Sequence, residues 1–153
     1  MELTAREDIE APIEYVFTQV TDFPSFERSI MRRGADVERL QGGEDATIGT
    51  KWQVKFVMRG KERKVNAVLT EVDEPNGLTL SLRSPSADGT IVIELVALSR
   101  ARTRLNVTMQ SVAKTIPAKL LFQSLRFAQG RTDKRYKAIV ATFAEDVEAR
   151  FRA

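Results

Sequence analysis

From Ala35 to about Val112 the apolar side chains recur at every second position, and turn signals interrupt this run at regular intervals: Gly42-Gly43, Gly60, Asn76-Gly77, Asp88-Gly89 and the basic stretch Ser99–Arg104. A period of two puts alternate residues on opposite faces of a strand, and short polar breaks join antiparallel neighbours as hairpins. The pattern predicts six consecutive strands near 35–41, 48–59, 62–73, 78–84, 90–98 and 103–112. The second is the clearest, with Thr50, Trp52, Val54, Phe56 and Met58 on one face and Lys51, Gln53, Lys55 and Arg59 on the other. Leu78, Leu80 and Leu82 repeat the alternation, as do Leu105, Val107 and Met109. In Ile91–Leu98 both faces are apolar except at Glu94, so this strand is either covered twice or central in the sheet.

A sheet with one apolar face needs a cover, and the two ends of the chain read as its source. Leu3, Ala5 and Ile9 lie in a loosely alternating strand that stops at Ala11-Pro12. Ile13, Val16, Phe17 and Val20 then recur at helical spacing to about Thr21, proline being well suited to a first helical turn. Asp22-Phe23-Pro24-Ser25 breaks this helix, and a second short one is predicted from Ser25, as N-cap, to about Arg32, with Phe26 and Ile30 one turn apart. Pro117 opens the last element. There Leu121, Leu125, Ala128, Thr132, Tyr136, Ile139, Phe143 and Val147 step by three or four residues in one apolar stripe. A straight helix of about 36 residues would be ~54 Å long, more than a sheet is expected to support, so a bend near Gly130 is predicted. Strands that follow one another without helical crossovers define an α+β fold, with a long C-terminal helix across a curved antiparallel sheet.

The size and composition fit one such unit. The chain has 153 residues, 42% hydrophobic and 29% charged, and no linker or repeat divides it, so 1–153 is expected to form a single domain. It contains neither cysteine nor histidine. Disulfides, thiolate nucleophiles, the commonest metal ligands and the usual neutral-pH general base are thereby excluded, and no metal or cofactor is expected. The acidic start Met1–Asp8 is unlike a signal peptide, and no apolar run approaches the ~20 residues that span a bilayer, so a cytoplasmic protein is expected.

Several local motifs, in this order, carry a family resemblance: Ile9-Glu10-Ala11-Pro12-Ile13-Glu14-Tyr15-Val16-Phe17 with Val20-Thr21-Asp22, then Gly49-Thr50-Lys51-Trp52, Glu71-Val72-Asp73-Glu74-Pro75 leading to Leu78, and Thr103-Arg104-Leu105. Together they resemble the START-like superfamily, which includes polyketide cyclase/dehydrase-type proteins and relatives of plant pollen allergens (SRPBCC, Bet v 1-like). The resemblance implies a helix-grip fold, in which a seven-stranded antiparallel sheet wraps the C-terminal helix around a cavity. The count of one strand plus six agrees. It also implies small apolar ligands such as lipids, quinones, polyketides or steroids, without fixing a function.

The residues expected on the side facing the long helix are Trp52, Val54, Phe56, Met58, Leu80, Leu82 and Met109 from the strands, with Leu121, Leu125 and Phe127 from the helix. Such a set fits either a filled core or the wall of a ligand cavity. Polar candidates are sparse. Arg63, Arg83, Glu94 and Gln110 lie in strands and read as exposed unless the register shifts by one residue. Asp73-Glu74 reads as turn chemistry, and Tyr15 and Tyr136 fit helix packing as well as a phenol donor. No constellation names a reaction. The leading reading is binding or transport of a small hydrophobic molecule. The alternatives are a cyclase or dehydratase-type enzyme and a protein-interaction module of the chaperone-activator kind.

Charge adds a partner. Residues 1–45 hold 11 acids and 5 bases, whereas 46–153 hold 10 acids and 19 bases. The basic hairpin Lys51, Lys55, Arg59, Lys61, Arg63, Lys64 and the later cluster Arg126, Arg131, Lys134, Arg135, Lys137 lack interleaved aromatics and a phosphate loop, so no nucleic acid is expected. Peripheral contact with an anionic membrane is the expectation these charges do support.

Overall fold

A computed structural model describes residues 1–43 and 45–153. Its elements run β1 (Glu2–Ile9), α1 (Ile13–Val20), α2 (Phe23–Arg32), β2 (Asp36–Gln41), β3 (Lys51–Met58), β4 (Lys61–Asp73), β5 (Gly77–Arg83), β6 (Ala87–Ser99), β7 (Arg102–Ala113), α3 (Ile116–Phe127) and α4 (Gln129–Arg152). The strands form one curved antiparallel sheet in the order β1-β7-β6-β5-β4-β3-β2, in which all neighbours but β1 and β7 are joined in sequence.

Local chemistry sets most element boundaries. The third strand begins at Lys51 rather than residue 48, because Thr47–Gly49 is a turn: Thr50 Oγ1 donates to the Thr47 carbonyl at 2.6 Å, and Gly49 holds φ +94°. The β3–β4 hairpin closes through Arg59 and Gly60, both at positive φ, the geometry that matches the right-handed strand twist. The second helix starts earlier than expected, and its cap is Asp22, not Ser25: the Ser25 amide donates to Asp22 Oδ1 at 3.3 Å. The C-terminal helix is interrupted at Ala128, close to the bend expected near Gly130. There ψ moves to 22°, and the Ala128 carbonyl accepts from the amides of Arg131 and Thr132, both at 3.0 Å, so it caps the new helix. Thr115 caps α3 by accepting from the Ala118 amide. Instead of one rod, α3 and α4 are two helices, the second about 36 Å long.

The strand registers place two apolar rows on the inner face. Leu69, Leu80, Ile91, Met109 and Leu3 lie across one line of the sheet, and Val72, Leu78, Ile93, Val107 and Ala5 across another. Against this face α4 buries Val140, Ala144 and Val147, packing chiefly over β1. Of the expected stripe, Val147 is buried and Tyr136 and Phe143 pack against the core, while Val140 and Ala144 widen the stripe on the side away from Ile139, which is 47% exposed. The core gathers Ile9, Val16, Leu69, Leu105 and Val147, and Thr103 Oγ1, fully buried, donates to the Ala11 carbonyl at 2.8 Å. Among the described residues the sheet's outer face has no second layer over β6: Val96 and Leu98 are exposed there, so its double apolar pattern reflects an interior position in the sheet and not two covers. Among the described residues no helix is long and apolar enough to cross a membrane.

Gly77 opens β5 at φ +151°, and a Cβ at this position would overlap the Ile93 carbonyl oxygen of the neighbouring strand. Gly77→Ala is therefore expected to lower stability by about 2–4 kcal/mol, read as a lower urea midpoint. Gly130 has open space around its Cβ position and lies in a helix. Gly130→Ala should raise stability by about 0.5–1 kcal/mol in the same assay.

Candidate functional site

Between the sheet, α2 and the middle of α4 lies an apolar cavity of about 400 Å³. Its floor comes from Trp52 and Val54 of β3, Ala67 of β4, Leu78, Leu80 and Leu82 of β5, Ile91 and Ile93 of β6, and Leu105 and Val107 of β7. Helix α4 roofs it with Tyr136, Ile139, Val140 and Phe143, and one end is closed by Val20, Phe23, Phe26, Glu27, Ile30 and Val37. The strands present these side chains because their inner-face positions alternate in register. Trp52, Ala67 and Leu82, for instance, are direct cross-strand partners.

The aromatic rings form the stiffest part of the wall. Phe23 meets Trp52 edge-on with centroids 5.0 Å apart, and Phe26 lies 5.5 Å from Phe143. Both contacts join α2 to other walls, the first to the sheet and the second to α4. Edge-on and tilted rings of this kind hold their orientation while exposing faces to the cavity.

Two ionisable groups reach the lining among the described residues, and both are already engaged. The Tyr136 hydroxyl donates to the Val107 carbonyl at 2.9 Å, and burial raises its pKa above the ordinary value of 10.0. Glu27 forms a bidentate pair with Arg39 of β2, with its shortest contact at 2.6 Å and both side chains 18% exposed. Arg39 also donates to the Gly43 carbonyl. This pair ties α2 to the sheet's edge strand at the rim of the cavity.

The sequence-predicted residues divide between the cavity and its surroundings. Trp52, Val54, Leu80 and Leu82 line it. Phe56 and Met58 share their inner face but lie farther along β3 toward the hairpin, half-buried and exposed respectively, and outside the lining. Met109 pairs with Ile91 and Leu3 and remains half-buried outside the lining. Leu121 and Leu125 are half-buried in α3, and Phe127 is 95% exposed. The break at Ala128 carries all three away from the roof. Arg63, expected on the surface, pairs with Phe56 on the inner face, and its Nε is buried without a hydrogen-bond partner. Arg83, Glu94 and Gln110 are exposed, Gln110 donating to Glu2 at 2.7 Å. Sequence reasoning missed the α2 contribution of Phe23, Phe26 and Ile30. The helical spacing of Phe26 and Ile30 was a signal that this face needed a partner, though it did not say which.

No family model matches the sequence, and no curated protein matches it. Solved structures do. The aromatase/cyclase Zhui of Streptomyces sp. R1128 superposes with a TM-score of 0.74 at 13% identity, covering 100% of this chain and 96% of that one. The chain shares this helix-grip fold. A protein of Thermus thermophilus is similar at a TM-score of 0.68 and 18% identity, over 98% of this chain and 99% of that one. A norcoclaurine synthase point mutant of Thalictrum flavum, in complex with a transition-state analogue, gives 0.68 at 11% identity, over 100% and 96%. Helix-grip layout is thus held at identities where few side chains are shared.

Because burial favours the neutral phenol of Tyr136, its contribution to stability is complete below the unfolded value near 10 and is lost as pH rises through the higher folded pKa. Absorbance titration should show a phenol ionising above the ordinary tyrosine value, and this transition should vanish in Tyr136→Phe. The same variant should lose about 1 kcal/mol at neutral pH through its missing hydrogen bond.

Proposed function

We propose that this chain binds a small, uncharged, largely apolar molecule, flat or ring-bearing, in the cavity between the sheet, α2 and α4. The observation that carries the reading is the lining itself: about 400 Å³ walled by hydrocarbon and aromatic side chains and open on one side, with its two ionisable groups satisfied inside the protein. A volume at the lower end of the usual ligand-pocket range suits a quinone, a short polyketide-like or aromatic compound, or one part of a lipid chain. A charged ligand would lose its hydration with nothing in the lining to replace it. Trp52, Val54, Leu80 and Leu82 are assigned as binding residues, joined by Phe23, Phe26, Tyr136 and Phe143.

Binding is favoured over cyclase-type chemistry by the engagement of Tyr136 and Glu27, which leaves neither free to exchange a proton with a substrate in this arrangement. The open interior also speaks for a ligand-holding role over a purely protein-docking one. A cytoplasmic setting fits a chain without cysteine, which needs no oxidising compartment.

Trp52 provides the test, being the chain's sole tryptophan, 7% exposed and on the cavity wall. Its emission should be blue-shifted in the free protein and change saturably on titration with a flat aromatic compound or a quinone. Leu80→Phe, which takes up cavity space without adding a second indole, should weaken the saturable response, and Phe143→Ala should weaken it about tenfold or more. An emission insensitive to every apolar compound offered would overturn the binding reading.

A further inference from the structure

The outward side of α3 is apolar where a surface helix is ordinarily polar. Ile116, Leu120 and Phe127 are 74%, 60% and 95% exposed, and their spacing puts them within about 40° of one another around the helix. Val112, at the end of β7 and 68% exposed, lies in the segment that leads into α3. Scattered exposed apolar residues are ordinary, but an aligned set including a fully exposed phenylalanine is not.

Beside this stripe, α3 and β7 enclose a groove of about 380 Å³ whose walls include Lys119, Phe122, Gln123 and Arg126 with Ser111 and Val112. Lys119 and Arg126 are two helical turns apart and so lie on one side of α3, adjacent to the apolar stripe. The surrounding sequence is strongly basic. Between residues 114 and 137 there are seven Lys and Arg against the single acid Asp133, and of the seven only Lys114 has a carboxylate partner among the described residues, Asp88 at 3.1 Å.

We propose that α3 is a docking surface for an anionic lipid bilayer: Ile116, Leu120 and Phe127 enter the acyl boundary, while Lys119 and Arg126 hold lipid phosphates at the groove. Charge complementarity selects this occupant. A second copy of the chain, applied face to face, would bring the same cations together. A nucleic acid backbone would satisfy the charges but leave the Ile116–Leu120–Phe127 stripe against phosphates. An amphipathic helix with basic flanks and one apolar side is the form that lies in a membrane interface. The proposal stands on α3 and is independent of what the cavity holds.

The test is co-sedimentation of the full chain with vesicles of phosphatidylcholine alone or with phosphatidylglycerol added, at ionic strengths from about 0.05 to 0.5 M. The wild type should be recovered with the anionic vesicles, lose binding as salt rises, and stay in the supernatant with the neutral ones. Lys119→Gln with Arg126→Gln should weaken binding about 25-fold, roughly fivefold per charge removed. Leu120→Ser with Phe127→Ser should weaken it at least as much while leaving the circular dichroism spectrum unchanged, since both positions are exposed. Equal recovery with neutral and anionic vesicles, or anionic binding untouched by both double variants, would overturn the proposal. So would a wild-type dimer in analytical ultracentrifugation that Leu120→Ser with Phe127→Ser dissociates, which would give the face to a second copy. Tighter binding to RNA than to the anionic vesicles, lost in Lys119→Gln with Arg126→Gln, would give it to nucleic acid.

Discussion

The seating of α4 on β1 decides what the rest of the molecule can be. From its midpoint onward this helix presents small or branched side chains, Val140, Ala144 and Val147, to a strand that offers Leu3, Ala5 and Ile9, so helix and sheet approach closely and are buried together. Its last turns are pinned from the side by α1 and the turn before it. The Glu10 amide donates to Glu148 at 2.9 Å, Arg150 donates to Gln19 at 3.1 Å, and Tyr15 and Phe151 are in ring contact at 4.9 Å. With that end fixed, the stretch from Tyr136 to Phe143 must pass over the hollow of the curved sheet. There the helix carries Tyr136, Ile139 and Phe143, which form a roof.

A cavity in a protein this size is a cost, because its lining lacks contacts on one side. The surroundings here show how it is kept from collapsing. The Tyr136 hydrogen bond to the β7 backbone fixes the height of the roof, and the Phe26–Phe143 contact braces it against α2. Helix α2 is itself held at the rim by the Glu27–Arg39 pair and by Phe23 against Trp52. The polar groups at the site therefore act as struts. This is a different use of ionisable residues from one that aims them at a substrate, and it bears directly on how the site is read.

The similar solved structures share backbone layout at 11–18% identity, which separates two levels of information. Strand order, sheet curvature and the crossing helix depend on alternation and turn chemistry that many sequences satisfy. The contents of the cavity depend on which side chains occupy its lining positions, and these are free to differ. The α3 surface is a third level again, since an exposed apolar stripe contributes nothing to the fold and must be explained by something outside it.

By itself the sequence determined the class of fold. Alternation from Ala35 to Val112 and the breaks at Gly60, Asn76-Gly77 and Asp88-Gly89 are local properties, so the six strands and their hairpins were legible from the residues alone. Trp52, Val54, Leu80 and Leu82 were legible as inner-face residues for the same reason. What only the tertiary structure decided is how far each inner face is covered. Met58 and Trp52 share a strand face, yet one is exposed and the other buried, because α2 and α4 cover only part of β3's length. Leu121, Leu125 and Phe127 continue a helical pattern that reads as unbroken, and the turn at Ala128 removes them from the roof through a backbone choice that no side-chain period records. Arg63 shares the inner face with Val65, Ala67 and Leu69 by its own strand's alternation, and its pairing with Phe56 shows that this face continues past the cavity toward the hairpin. Period and propensity are short-range and survive in the sequence. Coverage depends on where distant elements come to rest, and only the packed chain sets that.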